Sequence, residues 1–151
     1  MSELINLSTG LHHVSQPTIS SCPFCRLPEH RVLLRNRLAV ALFDAYPVTS
    51  GHALVVPLRH VEDFWGLTAE ERLACHELFD GLRGLITAKD PSVTGFNLGT
   101  NAGASAGQTV FHCHFHLIPR RDGDCENPRG GVRHVFQDKA NYDPSAPSLS
   151  I

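Results

Sequence analysis

No stretch of the 151 residues approaches the roughly 18 consecutive apolar side chains of a membrane-spanning helix. The first sixteen, MSELINLSTGLHHVSQ, lack both the basic start and the apolar centre of an export signal. The cytoplasm is therefore the expected location, with no membrane partner. Excess charge is missing as well. Thirteen Lys and Arg against fifteen Asp and Glu leave a formal charge of −2, so no global field draws the chain to a polynucleotide, and any phosphate it binds must be held locally. An even set of cysteines is absent too: five, two of them in CPFC, favour metal ligation or redox chemistry over a disulfide framework. No internal repeat is visible. What remains is an ordinary globular composition, 42% hydrophobic and 19% charged, in a chain long enough for one domain and too short for two ordinary ones.

Residues 1–21 show no sustained periodicity, and Pro17 with Ser20 and Ser21 breaks any helix before CPFC. They form a lead-in segment. LAVALF (38–43) and HALVVP (52–57) are short apolar runs separated by DAYPVTSG, and predict a strand, loop, strand hairpin. Thr68 followed by Glu71 is a capping-box signature, and Leu78, Leu82, Leu85 and Ile86 continue a helical period until Pro91. One long helix is expected there, weakened but not cancelled by Gly81 and Gly84. TGFNLGT (94–100) reads as a third strand, NAGASAG (101–107) as a small-residue loop and QTVFHCHFHLIPR (108–120) as a fourth strand. Residues 122–151 are rich in Gly, Pro, Asp and Ser and are expected to order only where they dock. The domain proper thus spans 22–121. One helix among several short strands implies an α+β domain in which that helix covers an antiparallel sheet.

The fourth run carries the chemistry. In a strand, alternate side chains share a face about 6.6–7 Å apart, so His112, His114 and His116 line one surface while Cys113, Phe115 and Leu117 take the other. Such a set can be the polar side of a half-buried strand. It can also be a zinc site, since H-x-H on a strand chelates through neutral imidazoles. A third reading makes one imidazole a nucleophile whose neighbours orient it and stabilise phosphate charge.

HCHFHLIP matches the H-φ-H-φ-H-φ-φ signature of the histidine triad (HIT) family, and the resemblance extends through LFDAYPVTSGHALVVPLRHVEDFWGLTAEE and GFNLGTNAGASAGQTV to cover roughly residues 22–121. GQTV before the triad is closer to the dinucleoside polyphosphate hydrolase branch than to the phosphoramidase branch. The resemblance implies a HIT fold with about five antiparallel strands, one long helix and short helical segments. It makes His114 the nucleophile that attacks an α-phosphate, His116 a contact to the transferred phosphate, and Thr109 a hydroxyl near the phosphate or leaving group. Gln108 and Asn101 match positions that hydrogen-bond phosphates, Asp44 an acceptor for ribose hydroxyls, and Leu42, Phe43 and Leu54 the flanks of the base. Asp44 read without the family simply begins a turn, and Asn101 supplies a left-handed loop residue. His52 is assigned to structure. Elementary chemistry agrees on the nucleophile, because an imidazole of ordinary pKa, about 6.5, is mostly neutral near pH 7.

CPFC alone fits a redox pair, a zinc half-site or a tight turn; the prolines at 23 and 28 argue against a thioredoxin-like strand-to-helix setting. The resemblance implies a structural zinc held by Cys22, Cys25, His60 and His112, with His30 a rival fourth ligand. Cys75, Cys113 and Cys125 carry no pattern. The expected activity is hydrolysis of a diadenosine polyphosphate type of anhydride through a nucleotidyl-histidine, with adenosine 5′-phosphoramidates as alternative substrates and a nucleotide-binding regulatory protein as the alternative class. A divalent cation accompanying the polyphosphate and a homodimer complete the expectation, since a small sheet leaves edges that need cover. NPRGGVRHV (127–135) resembles a C-terminal extension of some bacterial members, which carries Arg129 and Arg133 to distal phosphates or packs on the domain or dimer.

Overall fold

The computed structural model describes residues 21–136; residues 1–20 and 137–151, most of the lead-in and the end of the extension, lie outside it. Five strands, β1 (Val32–Arg35), β2 (Ala39–Phe43), β3 (Ala53–Pro57), β4 (Val93–Gly99) and β5 (Phe115–Arg121), form one antiparallel sheet in the order β1-β2-β3-β5-β4. One helix, α1 (Ala69–Lys89), crosses one face, and short 3-10 turns occupy the connections. The α+β expectation therefore holds.

Helix α1 starts where the capping signature places it. Thr68 Oγ accepts from the Glu71 amide, and Glu71 Oε2 accepts from the Thr68 amide. Glu71 is buried, and Arg59 donates two hydrogen bonds of 2.7 Å to its carboxylate. Those donors hold the Glu71 carboxyl down to about 2 against the opposing effect of burial. Ala74, Cys75, Leu78, Leu82 and Ile86 then bury one stripe of the helix on Ala39, Ala41, Ala53, Val55, Cys113, Phe115 and Leu117. Gly81 sits where α1 passes β1, and a Cβ there would come within 2.9 Å of Leu34 Cδ1.

The opposite face of the sheet carries Val40, Leu42, Leu54 and Val56 under Phe24, Leu27 and Val32. Strand register links Val32 to Leu42, Leu42 to Leu54, Leu54 to His116 and His116 to Gly99, a single row across all five strands. Phe43, one residue beyond Leu42, turns to the helix side and packs on the main core. This corrects its expected place beside Leu42, for the reason that strand side chains alternate.

Two strand expectations also change. Strand β1, whose VLLR run is short and polar at its end, is not legible as an apolar segment. The fourth run pairs only from Phe115, so His112 and His114 precede the strand, held by the Cys113 amide donating to Val61 O at 2.7 Å. Alternation survives without the ladder, because Cys113 and Phe115 still enter the helix-side core. In the extension, Gly131–Val135 forms a 3-10 turn against β4, with Gly131 beside Asn97.

Candidate functional site

Two clusters share the segment 112–116. The first gathers Cys22 and Cys25 from a turn, His60 just after β3, and His112, which is wholly buried. Their ligand atoms lie within 4.8 Å of one another. Separations are 3.3 Å for Cys22 Sγ to His112 Nδ1, 3.2 Å for Cys25 Sγ to His60 Nδ1, 3.5 Å for Cys25 Sγ to His112 Nδ1, and 3.2 Å between the two Nδ1 atoms. A zinc ion at about 2.0–2.1 Å from nitrogen and about 2.3 Å from sulfur sets tetrahedral ligands about 3.3 Å (N to N) and about 3.6 Å (N to S) apart, so the donor set fits that ion. The tautomer fits too. His112 Nε2 lies 2.9 Å from Pro57 O, and a carbonyl can only accept, so Nε2 carries the proton and Nδ1 turns its lone pair to the sulfurs. Burial, with Cys22 alongside, pushes the Cys25 thiol up to about 11, a cost that a coordinated cation removes by taking the thiolate. His30 is exposed in the Glu29–Arg31 turn and stays outside this cluster.

The second cluster lines a cavity of about 640 Å³ on the helix-free face. Phe24, Leu27, Pro28, Leu42 and Leu54 supply an apolar wall, and Arg31, Asp44, Thr109, His114 and His116 supply polar groups. His114 Nδ1 sits 2.8 Å from His112 O. The same reasoning gives that nitrogen the proton and leaves the Nε2 lone pair free of protein donors among the described residues. Phe24 packs against both rings, at 5.7 Å from His112 and 5.2 Å from His114, and so joins the two clusters. His116 Nδ1 lies 3.0 Å from His52 Nε2, with Asp44 Oδ2 at 3.5 Å from His52 and 3.9 Å from His116. Burial pushes His116 down to about 4, helped by His114 and His52 and opposed by Asp44. His52 is also lowered by burial. This arrangement can bind an apolar ring, hold a hydroxyl or phosphate at Thr109 and His116, and present one imidazole, oriented through Nδ1, for attack.

Other expected site residues lie elsewhere. Gln108 is buried, with Oε1 accepting from the Gly103 amide and Nε2 donating to Glu62 O and Val110 O. Its amide is thus spent on shaping the loop that leads to the triad. Asn101 is half-buried and outside the cavity lining, and no residue other than glycine has a positive φ among the described residues, so the left-handed reading of Asn101 is overturned. Phe43 lines a separate depression of about 440 Å³ behind Asp44. His52, assigned to structure from sequence, is in contact with His116. Its parity with Leu54, across a hairpin from Asp44, was the readable signal. Gly51, at φ +84°, supplies the left-handed turn just before it.

The HIT domain family model matches residues 28–123. A HIT-like protein of Mycoplasma genitalium is 36% identical over 107 residues, 68% of this chain and 75% of that protein. A bis(5′-nucleosyl)-tetraphosphatase (asymmetrical) of Schizosaccharomyces pombe is 36% identical over 62% of this chain and 51% of its own length. An AP-4-A phosphorylase of Mycobacterium tuberculosis is 36% identical over 68% and 55% respectively. Among solved structures, a HIT family protein from Bacillus anthracis aligns with TM-score 0.61 at 33% identity, over 78% of this chain and 88% of that one. A Zn-bound histidine triad family protein from Mycobacterium smegmatis aligns with TM-score 0.59 at 32% identity, over 71% and 80%. The triad, the sheet that presents it and these matches together place the chain in the HIT domain family.

Proposed function

We propose that this protein cleaves a nucleoside phosphoanhydride of the diadenosine polyphosphate type at the α-phosphate, through a nucleotide carried covalently on His114. The observation that carries the reading is the hydrogen bond from His114 Nδ1 to His112 O, which in the neutral ring leaves the lone pair on Nε2 of a side chain that lines the cavity. The apolar wall takes the base, Asp44 the ribose hydroxyls, and His116 and Thr109 the phosphate. Nε2 attacks the α-phosphorus, a P–N bond forms as the P–O bond to the distal nucleotide breaks, and the leaving phosphate departs with the charge. Water then attacks the same phosphorus, loses its proton, and frees the nucleotide and the imidazole. The relatives named as a tetraphosphatase and a phosphorylase support nucleotide chemistry in general and leave water or inorganic phosphate as acceptor; the products distinguish the two. Cys22, Cys25, His60 and His112 would hold a zinc ion as a structural tie, away from the phosphate chemistry. Among the described residues β1 and β4 are the sheet's edges, where a second copy of the chain is the expected partner, to be checked by light scattering.

The deciding experiment is rapid-quench trapping with a slowly hydrolysed dinucleoside polyphosphate, followed by mapping of the labelled residue. A nucleotide on His114 is expected. An active enzyme that never acquires one overturns the covalent route.

A further inference from the structure

Asp44, His52 and His116 converge their donor atoms within 4.8 Å, and two histidines with a carboxylate are the ligands of a known type of open metal site. The backbone decides against a metal. The Val48 amide donates to His52 Nδ1 at 3.2 Å, so Nδ1 holds a lone pair and the proton of the neutral ring sits on Nε2. A protonated nitrogen cannot ligate. It can donate, and its nearest acceptor is His116 Nδ1 at 3.0 Å. Accepting there obliges neutral His116 to carry its own proton on Nε2, the nitrogen on the far side of the ring from His52, while the His116 side chain lines the reaction cavity.

We propose that His52 is a positioning residue: relaying the polarity of the Val48 amide, it fixes His116 in the Nε2–H tautomer, so that His116 serves the phosphate as a neutral hydrogen-bond donor. The relay runs from Val48 N–H to His52 Nδ1, and from His52 Nε2–H to His116 Nδ1. The Asp44 carboxylate beside both rings adds a weaker pull on the His52 proton at 3.5 Å, while its other oxygen is occupied by the Tyr46 amide at 2.9 Å. Burial favours the neutral form of both rings, as the relay requires. No proton is transferred along it. Its effect is orientation: without His52, His116 is free to flip its ring or move its proton to Nδ1, and then it offers the phosphate oxygens a lone pair.

This inference rests on the assignment of the cavity to phosphate chemistry, but its test does not need turnover. Ring 15N spectroscopy of the substrate-free protein reports which nitrogen of His116 carries hydrogen. The expected result is protonated Nε2 in the unmodified protein, and a mixed or Nδ1-protonated ring in His52→Leu. His52→Gln should restore the Nε2–H state, because its amide nitrogen reaches the place of His52 Nε2 and can donate. Where turnover is measurable, kcat in His52→Leu should fall roughly 10- to 100-fold, by analogy with the loss of a hydrogen-bonding partner behind a metal-ligating histidine, with KM changed less. His52→Gln should recover most of it. Protonated Nδ1 on His116 in the unmodified protein overturns the relay, as does an unchanged His116 tautomer in a folded His52→Leu variant. If His52→Leu does not fold, the unmodified protein and His52→Gln still decide.

Discussion

His112 and His116 stand four residues apart on one face of one segment, and the molecule uses them in opposite ways. The first is wholly buried and the second reaches the cavity. What separates their roles is the partner of the other ring nitrogen. At His112 a carbonyl takes the Nε2 proton and the lone pair on Nδ1 faces two cysteines. At His114 between them a carbonyl accepts from Nδ1, so the neutral ring keeps its lone pair on Nε2, in a side chain that lines the cavity. At His116 a donor occupies Nδ1, and Nε2 is left with a hydrogen to give. One backbone or side-chain neighbour thus suits the same side chain to the role of ligand, nucleophile or donor proposed for it.

The largest expected effect tests whether the middle imidazole alone forms the bond. His114→Asn keeps polarity and approximate size but removes Nε2, so turnover should fall on the order of 10⁴- to 10⁶-fold, as for removal of other catalytic nucleophiles. Nucleotide binding, measured by calorimetry, should survive because the apolar wall and Asp44 are untouched. Residual turnover above a hundredth of the original rate would mean that another group attacks.

Removing the metal separates the two regions from the other side. Elemental analysis of untagged protein should find about one zinc per chain, and Cys25→Ser should lose it. Stability should drop by several kcal/mol, since a closed Cys2His2 shell contributes its binding energy to folding. Turnover should fall with it, because His112 supplies the carbonyl that orients His114. A zinc-free unmodified protein with an unchanged unfolding midpoint would discard the ion and leave the four side chains as ordinary packing.

The sequence shows the parity of the triad and the capped helix because both are local patterns. Thr68 and Glu71 sit three residues apart, and the histidines alternate whether or not the ladder reaches them. The four side chains of the Cys/His cluster span 22 to 112 and became legible as a set only through resemblance, although CPFC marked half of them. What stayed hidden depends on which way a side chain is turned in space. Phe43 follows Leu42 in an apolar run, yet strand alternation sends it to the helix. Gln108 looks like a phosphate ligand, but the Gly103 amide and the Glu62 and Val110 carbonyls claim it first. His52 reads as a hairpin residue until β5 brings His116 alongside β3.

The smallest expected effect concerns acid, and asks whether the cavity's histidines are held neutral as the comparison requires. A histidine that titrates near 6.5 in the unfolded chain and near 4 in the native one binds its proton more readily when unfolded. Between those values the unfolded state holds more protons, so stability falls as pH drops from about 6.5 towards 4 and gains no further loss below. For His116 this amounts to about 2 kcal/mol by pH 5, at 1.36 kcal/mol per unit, before solvent screening reduces it. His52, lowered in the same direction, adds to it. The metal cluster adds its own acid sensitivity, so the informative quantity is a difference between variants of equal zinc content. His116→Gln has nothing to titrate, and its loss of stability between pH 7 and pH 5, from urea midpoints, should be smaller than that of the unmodified protein by roughly 1–2 kcal/mol. Equal losses in the two proteins would mean that His116 titrates normally in the fold. The contrast with His112 would then rest on hydrogen-bond geometry alone.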